Sequence, residues 1–285
     1  MNYKELLKEI TDRLKATNVP EAESDAWRLF EGITGFDRGT LFLKGNDEVS
    51  DGAMLEKARE WTQKRLTGCP VQYIIGYQTF CGFDFEVSPD TLIPRFDTEI
   101  LAETVAQEAS GKNVLDMCTG TGCILISVAK LADTGCAVGC DVSEKAVELA
   151  ERNAKRNGVA SKTSFFTGDL FDALKGTEYE NFKFDIIVSN PPYIRSADIE
   201  TLSPTVRDFE PRSALDGTED GLWFYRRITK DATYSLADNG LLAFETGCDQ
   251  GNDVTEIMKE NGFSDVRIIK DYAGLDRIVI GKKEK

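Results

Sequence analysis

The hydrophobic pattern at the start of the chain is helical. Between residues 6 and 14, leucine and isoleucine recur at the spacing of one helix face. Two further segments of this kind lie at residues 21–35 and 50–68, each with polar or acidic residues near its start and a glycine near its end. We therefore expect residues 1–76 to form a small helical domain.

The pattern changes in residues 77–94. Aromatic and β-branched residues alternate there with small polar ones, and Gly82 and the pair Pro89-Asp90 mark turns. This alternation predicts a β-hairpin that links the helical domain to the rest of the chain.

From residue 95 to residue 285, strand-like and helix-like patterns alternate. Seven segments predict strands, in the order NVLDMC, CAVGCDV, TSFFTGDL, FDIIVSN, GLLAFET, VRIIKD and RIVIGKK. Their apolar character and the helical segments between most of them predict an α/β domain, a mostly parallel sheet covered on both faces. The last two strands are joined too closely for a crossover helix, so at least one pairing near the C-terminus should be antiparallel.

Composition limits the chemistry of this domain. The 285 residues include no histidine, which removes every Ser-His or Cys-His nucleophile mechanism. The seven cysteines form no C-x-x-C pair, so we expect reduced thiols and no metal site. No apolar run reaches membrane-spanning length and the N-terminus lacks the apolar core of a signal peptide, so we expect a cytoplasmic protein.

The net charge of the protein indicates which binding partners to expect. The formal net charge is −15 and the isoelectric point is about 4.6, whereas affinity for nucleic-acid phosphates depends on clustered lysine and arginine. We therefore expect no nucleic acid as a direct partner. The lack of a membrane-length apolar run likewise argues against a membrane partner, and we expect a monomer.

A glycine-containing loop separates the first strand of the α/β domain from the helix after it. Gly120 and Gly122 allow a sharp turn and a close approach of the backbone to a ligand, and Thr119 and Thr121 precede them. Asp141 ends the next strand about 20 residues further on, where a carboxylate can accept both hydroxyls of a ribose. A structural turn would explain the loop alone, but the loop and the acid together favour nucleotide binding.

A second acidic residue, Asp116, indicates which type of nucleotide ligand the loop would bind. Asp116 would repel a pyrophosphate, and the third glycine of the dinucleotide motif G-x-G-x-x-G is absent. S-adenosyl-L-methionine carries a ribose, an ammonium group and a sulfonium but no phosphate, so Asp116 and Asp141 favour it as the cofactor. Asp169 ends the third strand and could accept from the adenine amino group, with Leu170 near the ring; a helix cap is the alternative for Asp169.

The fourth strand ends in Asn190-Pro191-Pro192-Tyr193. A planar amino group on an sp² carbon is a poor nucleophile, so its N–H bonds need acceptors during catalysis. The Asn190 side-chain oxygen and the Pro191 carbonyl can supply two, and the prolines hold that carbonyl in place. Tyr193 offers a flat wall for the planar group. The motif favours methyl transfer to an amide or adenine nitrogen; a rigid turn is the alternative.

These motifs resemble a known family, the HemK/PrmC protein-(glutamine-N5) methyltransferases that modify peptide chain release factors. The resemblance covers nearly the whole chain and follows the family order in PVQYIIGYQTFCGFDFEVSPDTLIPRFDTEIL, NVLDMCTGTGCI, FDIIVSNPPYI and FEPRSALDGTEDGLWFYRRI. It implies a seven-stranded Rossmann-like class I methyltransferase sheet. It also implies that the helical N-terminal domain helps to hold the release factor.

The resemblance implies a substrate and its place. The substrate would be the glutamine of the Gly-Gly-Gln motif of a release factor, with its side-chain amide between Asn190, the Pro191 carbonyl and Tyr193.

The resemblance likewise implies where S-adenosyl-L-methionine lies. The cofactor would rest against residues 119–122, with Asp141 on its ribose and Leu170 near its adenine. Phe96 sits where the family's linker reaches the cofactor pocket, which implies a capping role.

Two positions depart from the family pattern. Met117-Cys118 replaces the Leu-Gly pair that the family often has, so the first glycine of the loop is lost. Leu170 stands where the family often has a tryptophan beside the adenine.

The sequence leaves two alternative functions to be considered. A nucleic-acid methyltransferase that acts on the adenine amino group would use the same Asn-Pro-Pro-Tyr motif, but it predicts a basic cleft or recognition domain. A binding protein without turnover predicts the loss of Asn190 or of the acids, and all of these are present.

Overall fold

The computed structural model describes residues 1–284. The chain divides into two compact units: Met1–Tyr77 with Ser203–Phe209, and Gln78–Leu202 with the chain from Glu210 onward. The predicted α/β region included Lys285, which lies outside the described residues.

The first unit is helical. Its helices are α1 (Tyr3–Ala16), α2 (Ala22–Thr34), α3 (Arg38–Lys44), α4 (Gly52–Leu66), α5 (Val71–Ile75) and the short α9 (Pro204–Arg207). Asn2 caps α1 by accepting from the backbone N–H of Glu5, whose side chain accepts from Asn2 in return. Of the apolar positions predicted for one helix face, Leu6, Ile10 and Leu14 are buried in the core of this unit, and Leu7 packs against it partly buried.

A buried ion pair lies inside this helical unit. Arg65 Nε on α4 donates to Asp25 Oδ2 on α2 at 2.7 Å, and the two side chains are only 7% and 12% exposed. Removal of one partner would leave the other charge buried without compensation, which is far more costly than the loss of a surface pair.

A two-stranded hairpin follows the helices in the chain, formed by β1 (Tyr77–Phe80) and β2 (Phe83–Glu86). These strands occupy the first part of the segment 77–94 that the sequence predicts as a hairpin, and they end at Glu86. Phe80 and Phe85 are buried, and their rings meet edge to face with centroids 6.0 Å apart.

The second unit contains a seven-stranded sheet. Its strands are β3 (Val114–Met117), β4 (Ala137–Asp141), β5 (Thr163–Thr167), β6 (Phe184–Ser189), β7 (Leu236–Glu245), β8 (Phe263–Lys270) and β9 (Asp276–Lys283). Their spatial order is β5-β4-β3-β6-β7-β9-β8. Pairings from β5 to β7 are parallel, whereas β9 runs antiparallel to both neighbours. The expected α/β class and the antiparallel pairing near the C-terminus are confirmed.

Helices cover both faces of this sheet. They are α6 (Phe96–Ala106), α7 (Cys123–Leu131), α8 (Glu144–Arg156), α10 (Trp223–Ser235) and α11 (Gly251–Glu260), with 3-10 turns at Leu170–Leu174, Ile199–Thr201 and Arg212–Ala214. Successive strand residues point to opposite faces. Val114 accordingly packs in the core with α6 and α7, whereas Leu115 packs in the core with α10 and α11.

The largest difference between a predicted and an observed strand boundary is at the start of β7. The sequence predicts a strand from Gly240, but β7 already begins at Leu236, directly after α10. Leu236 pairs with Phe184 across a register shift, and both side chains are fully buried. The turn-forming residues 237–240 lie within this register shift, where Asn239 has a φ of 60°, so they form an irregularity inside the strand.

The parallel pairing brings chemistry to one edge of the sheet. Because β3, β4, β6 and β7 all run in the same direction, their carboxyl ends meet at one edge, where open α/β sheets bind ligands. That edge carries the glycine loop, Asp141, Asn190 and Glu245.

The ion pair in the helical unit gives a stability prediction. Asp25→Ala should destabilise the protein by about 3–5 kcal/mol, because it strands the Arg65 charge. Glu60→Ala breaks an exposed pair with Lys64 on the same helix and should cost at most about 1 kcal/mol. Urea unfolding followed by tryptophan fluorescence measures both, since Trp27 and Trp61 lie in this unit. Equal losses in the two variants would contradict this account of the pair.

Candidate active site

The loop after β3 is built around a buried acid. Asp116 is fully buried; its Oδ2 accepts from the Thr119 hydroxyl at 2.7 Å, and its Oδ1 has no partner of ordinary geometry among the described residues. Burial raises the pKa of Asp116 to about 7, and the nearby Asp141 raises it further, against the effect of Thr119. An unpaired carboxylate oxygen of this kind suits a cationic group.

The two glycines of the loop serve different purposes. A Cβ on Gly122, at φ 78°, would lie 2.8 Å from Ile126 and 3.1 Å from Ala150, so this glycine permits close helix packing. A Cβ on Gly120, at φ 56°, would meet no protein atom within 4 Å. Gly120 therefore leaves open space beside the backbone, and it lines the cavity of the site.

Cys118 adopts a backbone conformation that favours glycine. Its φ is 61°, in the left-handed region, which costs a residue with a Cβ roughly 1–2 kcal/mol. The chain thus keeps the turn at the position where the family often has glycine, at the expense of local strain.

Asp141 fixes the end of β4 to this loop. Its Oδ2 accepts from the backbone N–H of Gly120 at 2.9 Å and its Oδ1 from that of Ser143 at 2.9 Å. Burial raises the pKa of Asp141, while these N–H groups lower it. Each oxygen keeps a further lone pair, so Asp141 can still accept hydroxyl groups from the cavity it lines.

A cavity of about 210 Å³ lies at this edge of the sheet. Among the residues predicted from the sequence, the lining contains Thr119, Gly120, Thr121, Asp141, Asp169, Leu170, Asn190 and Pro192. Five predicted residues are not part of it: Phe96, Asp116, Gly122, Pro191 and Tyr193. Of these, Asp116, Pro191 and Tyr193 lie directly behind the lining, next to residues that form it.

Phe96 lies apart from that group. Its side chain is 67% exposed and packs beside Tyr272, with ring centroids 6.2 Å apart. The neighbouring Arg95 does line the cavity and pairs with the buried Glu210 at 2.5 Å.

Asp169 is engaged by an arginine. Both of its carboxylate oxygens accept from Arg227 Nη1, at 3.0 and 2.8 Å, and it makes no side-chain cap for the 3-10 turn that follows. Asp169 therefore occupies the N-cap position of that turn, but its side chain does not cap it. Arg227 also lies 4.7 Å from the ring centroid of Trp223, a residue of the cavity lining.

Trp223 is a site residue that the sequence reasoning missed. It begins α10 and lines the cavity together with Leu170, the residue that stands where the family often has tryptophan. The linker residues Thr91, Leu92 and Pro94 were missed as well. The sequence held part of the information needed to find them, because the linker and the stretch that contains Trp223 both carry the family resemblance.

The Asn-Pro-Pro-Tyr turn is held on several sides. Ser189, the last residue of β6, donates its hydroxyl to the Met117 carbonyl of β3 at 2.6 Å. Gln250 Nε2 donates to the Tyr193 carbonyl at 3.0 Å. Gly217 packs so close that an added Cβ would lie 2.7 Å from Tyr193 Cα. The turn is thus rigid before any ligand arrives.

The side chains of the turn meet a polar cluster. Asn190 Nδ2 donates to Thr98 Oγ1 at 3.3 Å, and the Tyr193 hydroxyl donates to Glu245 Oε1 at 3.3 Å. Burial raises the pKa of Glu245, whereas the nearby Thr98 hydroxyl and the charge of Arg277 lower it. Burial also raises the pKa of Tyr193, so its phenol keeps the donor proton at neutral pH.

The arrangement therefore combines two kinds of group around one cavity. One side carries carboxylates and an open glycine backbone; the other carries the Asn190 amide, whose nitrogen is occupied by Thr98 and whose oxygen is left to accept. Such a site can bind a ribose-containing cation and a planar N–H donor side by side.

Two family models match the chain. The model of the PrmC N-terminal domain matches residues 5–76, and that of the methyltransferase small domain matches residues 95–207. The matched ranges cover the helical segment and most of the site.

Solved structures share the fold. A methyltransferase from Pyrococcus furiosus aligns with a TM-score of 0.52 over 72% of this chain and 90% of that chain. At 21% identity, this likeness concerns the fold alone. The expected seven-stranded methyltransferase sheet is confirmed.

Relatives are similar over nearly the whole sequence. A release factor glutamine methyltransferase of Geobacter sulfurreducens is 40% identical, covering 94% of this chain and 92% of that protein. A protein of the same name from Fusobacterium nucleatum is 39% identical, covering 95% of this chain and 76% of that protein. The chain belongs to the release factor glutamine methyltransferase family.

Proposed function

We propose that this protein methylates the side-chain amide nitrogen of the glutamine in the Gly-Gly-Gln motif of peptide chain release factors, with S-adenosyl-L-methionine as the methyl donor. The observation that carries the proposal is the Asn190 amide at the cavity: Thr98 holds its nitrogen at 3.3 Å, which leaves its oxygen to accept from a substrate N–H. Family membership supplies the substrate class.

The residues around the glycine loop fit the cofactor. The buried carboxylate of Asp116 lies behind the cavity lining and would favour the cationic end of S-adenosyl-L-methionine through its charge, and Asp141 can accept from the ribose hydroxyls. Leu170, Trp223 and Asp169 are the groups available to its adenine. When bound, this cofactor supplies an electrophilic methyl group.

Asn190 and Pro191 act on the substrate. The glutamine amide is a weak nucleophile because its lone pair is delocalised, and acceptors for its N–H bonds favour the charge that develops on nitrogen. We assign this role to Asn190 Oδ1 and the Pro191 carbonyl, with Pro192 restricting the backbone at Pro191. Acceptors that are fixed in advance stabilise the transition state without reorganisation.

Tyr193 shapes the substrate side of the turn. Its ring packs with the core below the turn while its hydroxyl is tied to Glu245 at 3.3 Å. In the proposal it forms a flat wall for the substrate amide. The N–C bond would form as the S–C bond breaks, the donor would leave as a neutral thioether, and the amide would lose one N–H proton to solvent afterwards. No strong base is needed before the transfer, so the absence of histidine from the chain does not oppose it.

We also propose the binding partner, the oligomeric state and the cellular compartment of this protein. The helical segment 1–76 helps to hold the release factor, a role supported by the match to the PrmC N-terminal domain at residues 5–76. Among residues 1–284, no helix is both long enough and apolar enough to cross a membrane. We propose a monomer that works in the cytoplasm, where release factors act.

The proposed substrate can be tested directly. Incubation with isotopically labelled S-adenosyl-L-methionine should place one methyl group on a release factor and none on its Gly-Gly-Gln→Gly-Gly-Ala variant. Peptide mass spectrometry locates the label. Label on RNA or DNA in place of the release factor would favour methylation of the adenine amino group instead.

Asn190→Ala should lower kcat by about 10²- to 10³-fold, the range seen when one preorganised transition-state hydrogen bond is removed. Cofactor affinity, measured by calorimetry, should change far less. A loss of cofactor affinity as large as the loss of kcat would refute the assigned role.

Asp141→Ala should weaken S-adenosyl-L-methionine binding by about 10- to 100-fold, because hydrogen bonds to a charged acceptor contribute roughly 1.5–3 kcal/mol. Asp172→Ala, which removes an exposed carboxylate paired with Lys175, is the control and should bind normally. An unchanged dissociation constant in Asp141→Ala would rule out the ribose assignment.

A further inference from the structure

The proposed reaction needs the Asn190 side-chain oxygen to face the substrate, and Asn190 by itself does not favour this orientation over the flipped one. The two ends of a carboxamide have nearly the same shape, but only the oxygen can accept from a substrate N–H. A flipped amide would present two donors to the substrate nitrogen and oppose the reaction. Some neighbouring group must therefore distinguish the two orientations.

The sheet register places a buried acid beside Asn190. In the parallel pairing of β6 with β7, Ser189 lies opposite Phe244. Asn190, directly after β6, and Glu245, the last residue of β7, are therefore at the same level of the sheet. Glu245 is 2% exposed. Its Oε1 accepts from Tyr193, and its Oε2 is buried with no partner of ordinary geometry among the described residues.

Thr98 stands between these two side chains. It is 2% exposed on α6, its oxygen accepts from Asn190 Nδ2 at 3.3 Å, and its hydroxyl lies near enough to the Glu245 carboxyl to lower the pKa of that carboxyl. A hydroxyl has one proton to donate. An ionised carboxylate can only accept, so it draws that proton toward itself and leaves the Thr98 oxygen as an acceptor for the amide nitrogen.

We propose that Thr98 and Glu245 form a positioning relay for Asn190, in which Glu245 Oε2 accepts from the Thr98 hydroxyl, Thr98 accepts from Asn190 Nδ2, and Asn190 Oδ1 is thereby turned toward the substrate amide. This inference rests on the proposed methyl transfer. Thr98 and Glu245 are positioning residues in it, because they act on the substrate through Asn190.

The same carboxylate holds the other end of the turn. The Tyr193 hydroxyl donates to Glu245 Oε1, so one buried acid orients the first and the last residue of Asn-Pro-Pro-Tyr. Arg277 balances the charge from nearby while its guanidinium is tied to Asp271 at 3.0 Å and to Asp97 at 3.5 Å. A buried carboxylate with two hydroxyl donors and a nearby cation is well suited to fix which groups around the turn donate and which accept hydrogen bonds.

The relay can be tested with variants that keep the shape of the side chain. Thr98→Val should lower kcat about tenfold, the effect of one neutral hydrogen bond, with unchanged KM for the release factor and unchanged cofactor affinity. Thr98→Ser restores the hydroxyl and should recover most of kcat. Thr229→Val, at a fully buried threonine of α10 whose hydroxyl has no hydrogen-bond partner within residues 1–284, is the matched control and should keep wild-type kcat.

A double-mutant cycle tests whether Glu245 acts through Thr98. Glu245→Gln replaces one of the two carboxylate oxygens with an NH2 donor, so one of the Tyr193 and Thr98 hydroxyls loses the acceptor it faces, and kcat should fall. In the Thr98→Val background the same change should have little further effect. Fully additive losses would overturn the relay, as would a wild-type kcat in Thr98→Val.

A measurement without cofactor separates this inference from the proposed function. The side-chain amide resonance of Asn190 in the free protein, assigned by its loss in Asn190→Ala, should shift in Thr98→Val and return in Thr98→Ser. An unmoved resonance would contradict the Asn190–Thr98 bond. Failure of the wild-type protein to methylate a release factor would overturn the proposed function, while the resonance would still judge the bond. Melting temperatures close to wild type in every variant exclude unfolding as the cause.

Discussion

The site depends on the parallel pairing of β6 between β3 and β7. This pairing sets Ser189 opposite Met117 on one side and Phe244 on the other, so three strands end at the same level. Side chains alternate between the two faces of a sheet, so a slip of one residue would send the strand-end groups to the wrong face. The apolar residues that hold the register, such as Ile187 and Leu242, are fully buried. The hydrophobic core thereby determines where the polar chemistry lies.

Buried acids are the cost of this arrangement. Asp116 and Glu245 are almost completely buried, each has one oxygen without a partner of ordinary geometry among the described residues, and burial raises the pKa of both. A protein selected for stability alone would pair or replace such groups. Their environments differ in a useful way: Asp116 lies behind the glycine loop, where a cation is expected, whereas Glu245 lies behind the turn that would hold the substrate.

The departures from the family pattern are accommodated by neighbouring residues. Cys118 takes the left-handed conformation at φ 61° without the help of a glycine. Leu170 lacks a ring, but Trp223 on α10 lines the same cavity and is held beside Arg227. The aromatic contribution to the cavity therefore comes from another element of the chain, which a position-by-position reading of the loop does not reveal.

The sequence by itself determined the elements, the parallel α/β class, the glycine loop and the strand-end residues Asp141 and Asn190, because apolar periodicity and turn chemistry are local properties. The tertiary structure decided which distant residues share the cavity. Trp223 lines it and Phe96 does not; Asp169 pairs with Arg227; and Thr98 and Glu245, 147 positions apart in the chain, meet the two ends of one turn. These contacts depend on strand order, register and helix packing, which join segments that carry no local signal for one another.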